Sequence, residues 1–377
     1  MTANSSIPVD LADEVNSAIL AVAEDRLAGF QVDPISEIAG RCELPTGLVI
    51  ERLQALLEAG TVRRIRQTVQ ATKLAAGALV AWKVPSEMLD DAFEFMVKQD
   101  PFSGHVVLRT TDKDAAGAGY RLWTTLKVPQ GYSLEKHCRQ LAEWTSAQSW
   151  RAMPAKRLFV LGVGHLRRRS IEPGARTDEP GAVITTDVEH LTEQQWRVLE
   201  ALKREFCADE LCTDIWRARA DEAGMGLDQF IAAARDLEAR GLMGRFSTFL
   251  EHVKPLSTGE RVTRYNALFH WQVPEGREIE AGMEIARHHV LTHAYWREGG
   301  PEFGNVNVMA VAHGLDKNLV MLHKAAIDVH LAELGIPVGY TNVFWGGRSE
   351  IKPSEVMPSA YREWCVSMGL DPEAFRE

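Results

Sequence analysis

Apolar positions recur at helical spacing over residues 9–28, in a short segment opened by Pro34, and over 45–58, where the pattern stops at Gly60. Three short helices closing on a glycine predict a helix-turn-helix. A basic hairpin at 61–72 is expected next, followed by the apolar run 76–84, which reads as a buried strand. Beyond it the pattern changes back and forth between the two periods. A helix is expected over 86–99, strands over 105–110 and 120–128, a helix over 133–145 and a strand over 157–163. The order β-α-β-β-α-β is that of a ferredoxin-like unit.

The whole succession then occurs a second time. Helices are predicted over 192–205, 209–223 and 227–239, ending at Gly241, with a hairpin at 242–252. A strand at 265–273, a helix at 279–288, strands at 290–297 and 305–313, a helix at 318–334 and a strand at 338–344 complete the second β-α-β-β-α-β. Two short motifs mark the duplication independently. Trp-x-Val-Pro occurs as Trp82 to Pro85 and as Trp271 to Pro274, and His-x-x-x-Arg as His105/Arg109 and His293/Arg297, at nearly one offset. The expected fold is therefore α+β, a duplicated winged helix-turn-helix plus ferredoxin-like unit. Its boundaries are helix-turn-helix 1–72, ferredoxin-like 73–169, a Gly/Pro-rich charged linker 170–187, helix-turn-helix 188–252, ferredoxin-like 253–352 and a C-terminal tail 353–377.

Composition narrows the function. At 377 residues the chain has room for two to three domains of about 150 residues each. Its 45% hydrophobic and 25% charged residues are those of a folded globular protein. A formal charge of −10 argues against a protein whose main task is neutralising DNA phosphates. The five cysteines, Cys42, Cys138, Cys207, Cys212 and Cys365, form no CxxC pair, so neither a zinc knuckle nor a disulfide framework is expected. With no secretory h-region at the N-terminus and no long apolar run, a cytoplasmic protein is the expectation, with no membrane partner.

Candidate chemistry follows the repeated motif. Positions i and i+4 of a strand share a face, so each His-x-x-x-Arg presents an imidazole and a guanidinium together. Such a pair suits an anionic ligand: arginine offers a fixed fork for a carboxylate and histidine exchanges a proton near neutral pH. A strand-capping histidine beside a surface ion pair is the plainer reading. In the second half, alternation adds Tyr295 to that face and places Asn305, Asn307 and His313 on one face of the next strand. Arg63, Arg64 and Arg66 stand at the wing of the first helix-turn-helix; DNA contact there is not favoured, because the helix at 45–58 carries as much acid as base. A second basic cluster covers 164–169 and reads as a solvated tail or as a cap over an anionic pocket. Trp82, Trp123, Trp271 and Phe303 either wall a flat ligand or belong to the core.

A helix-turn-helix, a wing and a ferredoxin-like unit together resemble the Lrp/AsnC family. Within that superfamily the segments 60–85, 105–126 and 245–274 look like the sirohaem decarboxylases, as above all does Thr292-His293-Ala294-Tyr295-Trp296-Arg297 leading to Asn307-Val308-Met309-Ala310-Val311-Ala312-His313-Gly314. The fused arrangement resembles the two-unit decarboxylases of haem d1 and alternative haem biosynthesis. The first copy departs from the family pattern at Val107, where tyrosine is usual, and at Arg121; the second departs at Met309, where an aromatic is usual.

The resemblance implies removal of carboxyl groups from the acetate side chains of sirohaem, giving didecarboxysirohaem. His293, Arg297, His105 and Arg109 would be the catalytic positions. Tyr295, Asn307, His313, Tyr120, Trp123, Arg63, Arg64, Arg66 and Arg245 would contact substrate. No cofactor would be required, the iron tetrapyrrole being substrate or ligand, with His293 or His105 a candidate axial ligand to its iron. A homodimer, or a complex with a homologous subunit, is implied as well. The alternatives are a tetrapyrrole- or amino-acid-sensing transcription regulator and a non-catalytic haem-binding partner.

Overall fold

A computed structural model describes residues 7–161, 171–185, 187–250 and 264–377. The described strands are, in chain order, β1 (Leu27–Ala28), β2 (Val62–Val69), β3 (Ala75–Lys83), β4 (Ser103–Thr110), β5 (Leu122–Pro129), β6 (Ser149–Leu161), β7 (Met243–Leu250), β8 (Tyr265–Gln272), β9 (Leu291–Arg297), β10 (Val308–Gly314) and β11 (Tyr340–Ile351). They sort into two compact units, Met1–Leu74 with Glu189–Thr258 and Ala75–Val188 with Gly259–Glu377. Each unit thus takes its material from both halves of the sequence.

In the first unit, helices Glu14–Ala23, Pro34–Cys42 and Thr46–Glu58 come from one half and Glu193–Lys203, Arg217–Glu222 and Leu227–Ala239 from the other. Their starts are set by side chains that accept the free backbone N–H groups of a first turn. Asp13 accepts from Asn16 and Asp33 from Ser36, and Thr192 with Gln195 forms a reciprocal capping box. The segment expected to be one helix at 209–223 is instead a 3-10 turn, Ala208–Glu210, and a short helix from Arg217. Trp216, almost fully buried, anchors the core against Phe30 and Phe206 at ring-centroid distances of 5.3 and 5.6 Å, and its indole N–H is satisfied by the carbonyl of Gln31.

Neither expected hairpin forms within its own half. β2 runs as one strand and pairs antiparallel with β7, which also pairs with β1. The physical reason lies in the stretch Val62-Arg63-Arg64-Ile65-Arg66-Gln67-Thr68-Val69, which contains no Gly, Asn or Pro to turn the chain. A straight strand must find its hydrogen-bond partner elsewhere, and the duplicate supplies it.

In the second unit the two ferredoxin-like sheets close on each other as an eight-stranded antiparallel barrel in the order β10-β8-β11-β4-β5-β3-β6-β9. Two seams, β11 with β4 and β6 with β9, join the halves. Alternation along each strand divides the side chains. The outward set of the first half, including Ala78, Val80, Trp82, Leu122 and Leu126, packs beneath helices Leu89–Lys98 and Leu134–Trp144. The outward set of the second, including Ala267, Phe269, Trp271, Val308 and Ala310, lies beneath Glu278–Ala286 and Lys317–Glu333. Trp82 and Trp271 belong to these outer cores, each with its indole N–H bonded, to Thr124 and to Asp328.

Two segments expected to be irregular are built into this unit. The C-terminal residues form a helix, Pro358–Ser367, and a 3-10 turn, Pro372–Phe375. Tyr361, Trp364, Cys365 and Phe375 from them join the first outer core. Here Tyr361 bonds His137 at 2.9 Å, and His137 lies 3.4 Å from the fully buried Asp100. An amphipathic element must cover something, and this one covers the apolar surface around Phe102. The described part of the linker is a strap along the second half: Thr177 and Gly181 donate to the carbonyls of Arg287 and Met283, and Ile184 bridges to Leu158. The basic cluster at 164–169 and the end of the 242–252 segment lie outside the described residues.

Trp364 combines deep burial with an indole bond to the Gln99 carbonyl at 2.8 Å. Trp364→Ala is expected to destabilise the chain by about 3–5 kcal/mol, read from the urea midpoint; a change under about 1 kcal/mol would show that the C-terminal helix contributes no core.

Candidate active site

The barrel interior is cationic along its walls and apolar at one end. The apolar end consists of Ala81, Val107, Trp123, Met153, Leu268, Phe303, Val306, Met309 and Phe344. Phe303 enters it from the turn Pro301–Phe303, tilted against Tyr120 with ring centroids 4.9 Å apart and edge-on to Trp123 at 5.4 Å. Gly117 and Gly304 have positive φ; a Cβ on Gly117 would stand 2.3 Å from the Phe303 ring and one on Gly304 2.8 Å from the Tyr340 ring.

Above this floor the two repeated motifs face each other. His293, Tyr295 and Arg297 do share one face of β9: the His293 and Tyr295 rings lie parallel with centroids 6.1 Å apart, and the Arg297 guanidinium sits 4.4 Å from the Tyr295 ring centre. Arg297 donates to the Met153 carbonyl across the β6–β9 seam. Its counterpart Arg109 donates to the Phe344 carbonyl across the other seam, at 3.4 Å, and to Asn266 Oδ1 at 3.1 Å. Asn266 in turn donates to His313 Nε2 at 3.1 Å, and Thr292 stands between His313 and His293. His105 donates its backbone N–H to Thr125 Oγ1, while its buried Nε2 has no partner.

Desolvation dominates the electrostatics. Burial, with the Arg109 and His293 charges adding to it, holds His105 neutral down to about pH 3. Burial lowers Arg109 to about 10, which leaves it charged at neutral pH, and lowers Arg297 against the pull of Tyr295. Burial raises the Tyr295 phenol against the pull of Arg297, so it keeps its proton. Among the described residues no carboxylate bonds either guanidinium, whose partners include Asn266 and the Phe344 and Met153 carbonyls. Of the cations on the eight barrel strands, Arg109 and Arg297 are buried, whereas the exposed Lys156 pairs with Glu298 and the exposed Arg348 with Asp90 and Glu94. In a chain of net charge −10 this is a segregation of charge, and it fits a ligand bearing several carboxylates.

Other expected residues are placed elsewhere. Asn305 has a positive φ and precedes the strand, so it shares no face with His313. Asn307 commits its amide to both backbone groups of Val273 and to Glu278, and braces the start of an outer helix. Trp123 is fully buried in the floor, its indole bonded to the Tyr120 carbonyl. Arg63, Arg64, Arg66 and Arg245 lie on β2 and β7 of the other unit. There Arg64 pairs with Glu205, Arg66 lies over Phe249, and Arg245 donates to the Glu24 carbonyl.

Residues 74–159 match the family model described as an AsnC-like ligand binding domain, which corresponds to β3 through most of β6. A siroheme decarboxylase of Hydrogenobacter thermophilus is 27% identical over 292 residues, 77% of this chain and 80% of that protein. Over most of its length the chain is thus similar to a siroheme decarboxylase. Two crystal structures of the siroheme decarboxylase NirDL share its fold at a TM-score of 0.65, with 21% and 20% identity over 94% of this chain and 99–100% of theirs. The second of them is a co-complex with an iron-uroporphyrin III analogue.

Sequence reasoning passed over three inward residues: Asn266, Lys127 and His270. Each sits two or four positions from a residue already known to face inward, as Lys127 does from Trp123, so strand alternation was the available signal. His270 is fully buried among Trp123, Phe303 and Phe344, and neither ring nitrogen has a partner. Burial and the Arg109 charge bring it down to about 3. Both His105 and His270 are therefore neutral when folded and charged when unfolded between about pH 6.5 and pH 3. Their stabilising contribution is complete above 6.5 and lost as pH falls towards 3, each by up to about 1.4 kcal/mol per pH unit. His270→Leu is expected to flatten the fall of folding stability between pH 6 and 4, measured by urea titration at stepped pH; an unaltered slope would contradict the assignment.

Proposed function

We propose that this chain decarboxylates the acetate side chains of sirohaem, to didecarboxysirohaem, in haem d1 or alternative haem biosynthesis, and that the reaction takes place in the barrel. The single observation that carries the assignment to this cavity is the interior on which His105, Arg109, His293, Tyr295 and Arg297 converge with no acidic residue among them. The similarity to a siroheme decarboxylase supplies the substrate class, and the charge of the cavity suits it.

The chemistry asks for an anion clamp and a route for protons. The ring is protonated, the bond between methylene and carboxylate carbon breaks, and its electron pair is drawn into the protonated pyrrole. Carbon dioxide leaves, the methylene carbon is protonated to a methyl group, and the ring proton is returned. One proton is consumed per carboxylate lost, with no change of oxidation state at iron. No resident cofactor is therefore part of the proposal; the iron tetrapyrrole is substrate.

Arg297 orients the departing carboxylate in this reading, with Tyr295 and His293 beside it on the same strand face. His105, neutral at pH 7, takes up the returning ring proton or ligates the substrate iron, since its Nε2 is free of hydrogen bonds. The apolar floor excludes water from the carbon that loses its charge. Arg109, already held by Asn266 and the Phe344 carbonyl, serves a carboxylate that stays. Substrate contacts by Tyr120 and His313 of the barrel are part of the same proposal.

A cytoplasmic enzyme is proposed; among the described residues no helix is long and apolar enough to cross a membrane. Self-association, or pairing with a homologous subunit, is proposed through the outer helical faces, because the closed barrel leaves no sheet edge to share. Sedimentation equilibrium checks this, and a monomer at all concentrations would remove it.

Anaerobic incubation with iron-sirohaem followed by mass spectrometry of the extracted tetrapyrrole tests the activity. Loss of one or two carbon dioxide masses is expected, and an unchanged mass would sink the decarboxylase reading. Arg297→Met is expected to lower turnover by about 10²–10³-fold, the scale seen when one charge-stabilising donor is removed.

A further inference from the structure

The duplication makes the two clusters comparable position by position, and the comparison is uneven at one point. Val107 pairs with Trp123 as Tyr295 pairs with Met309, so Trp123 and Met309 correspond, and four residues further along Lys127 corresponds to His313. Their neighbours across the ladder correspond too: Gly77 faces Lys127, and Asn266 faces His313. In the second half Asn266 fills the space between strands and ties up both His313 and Arg109. In the first half there is no side chain at that place. A Cβ on Gly77 would stand 3.1 Å from Lys127 Nζ, so the glycine is what leaves the ammonium room.

Lys127 consequently points inward, towards Arg297, with no carboxylate and no hydrogen-bond partner found for it among the described residues. Two positive charges held together in a partly desolvated cavity cost free energy in the empty protein. An anion placed between them removes the cost.

Resting on the decarboxylase reading, we infer that Lys127 and Arg297 together form a carboxylate subsite for the tetrapyrrole, present on the Arg297 side of the barrel and missing on the Arg109 side. The subsite makes the two halves unequal in specificity: one arginine is shared with a free lysine, the other with an asparagine. Lys127 is a binding residue in this assignment and takes no part in bond breaking.

Burial and the Arg297 charge bring Lys127 down to about 8. The charged group that acts on it is Arg297, and its neighbour across the β3–β5 ladder is Gly77. His105 is neutral throughout the range and Tyr295 keeps its proton, so a loss of anion affinity near pH 8 belongs to the lysine.

The test is the affinity of the full chain for iron-uroporphyrin III, followed by Soret titration from pH 6.5 to 9.5, for wild type, Lys127→Met and Lys127→Arg. Methionine matches the stem in length and removes the charge, and thermal melts establish that each variant is folded. The expected result is an affinity at least tenfold weaker in Lys127→Met at pH 7, near wild type in Lys127→Arg. The wild-type affinity should fall above pH 8, the Met variant should lack that fall, and the Arg variant should show it only at higher pH. Affinity within twofold of wild type in Lys127→Met, or an unchanged alkaline limb, overturns the subsite. Sirohaem turnover by wild type is measured alongside. Binding that depends on Lys127 without turnover would sink the decarboxylase reading and keep the subsite, and turnover with Lys127-independent binding would do the reverse. A wild type that binds no iron-uroporphyrin III overturns both.

Discussion

Closure of the eight-stranded sheet is the constraint on which the rest depends. Each ferredoxin-like sheet has one face covered by its own two helices and one face with nothing from its own half to cover it. Joining the two bare faces through the β11–β4 and β6–β9 seams satisfies every edge and turns two half-open surfaces into one interior. The interior is then small enough for His105 of one half and His293 of the other to feel each other's charge. Without closure there would be two solvated sheet faces carrying arginines of ordinary basicity. With it, burial keeps His105 and His270 neutral and lowers the basicity of Arg109, Lys127 and Arg297.

Duplication followed by divergence explains how a symmetric frame holds an asymmetric cavity. The backbone partners of the two arginines are equivalent, the Met153 and Phe344 carbonyls, because seam geometry is dictated by strand pairing. Side chains at equivalent places are free to differ, and they do: Val107 against Tyr295, Ala81 against His270, Gly77 against Asn266. Each difference trades a packing or hydrogen-bonding role on one side for an opening on the other.

Much of this was legible in the sequence, and what was not had a common cause. The repeated β-α-β-β-α-β order was readable because periodicity and the recurrent Trp-x-Val-Pro and His-x-x-x-Arg motifs are local signals. The joint face of His293, Tyr295 and Arg297 followed from alternation alone. What local pattern cannot show is which strand pairs with which. The segments at 61–72 and 242–252 looked like two wings and are one shared ladder, and the C-terminal residues looked like a tail and cover a core. Asn307 illustrates the same limit at the scale of a side chain. Its parity matches the inward set, yet the backbone of Val273 competes for its amide and wins.

The seams also set a timetable for synthesis. When the first 187 residues have left the ribosome, β4 and β6 are both unpaired edges, and β2 lacks the neighbour it will find in β7. At about 5–20 residues per second the remainder takes roughly 10–40 s to follow. Throughout that interval the nascent chain carries adhesive strand edges and a bare sheet face that only its own unfinished half can cover. Exposed edges of this kind are where aggregation starts, so the hazard lasts until the second half is made.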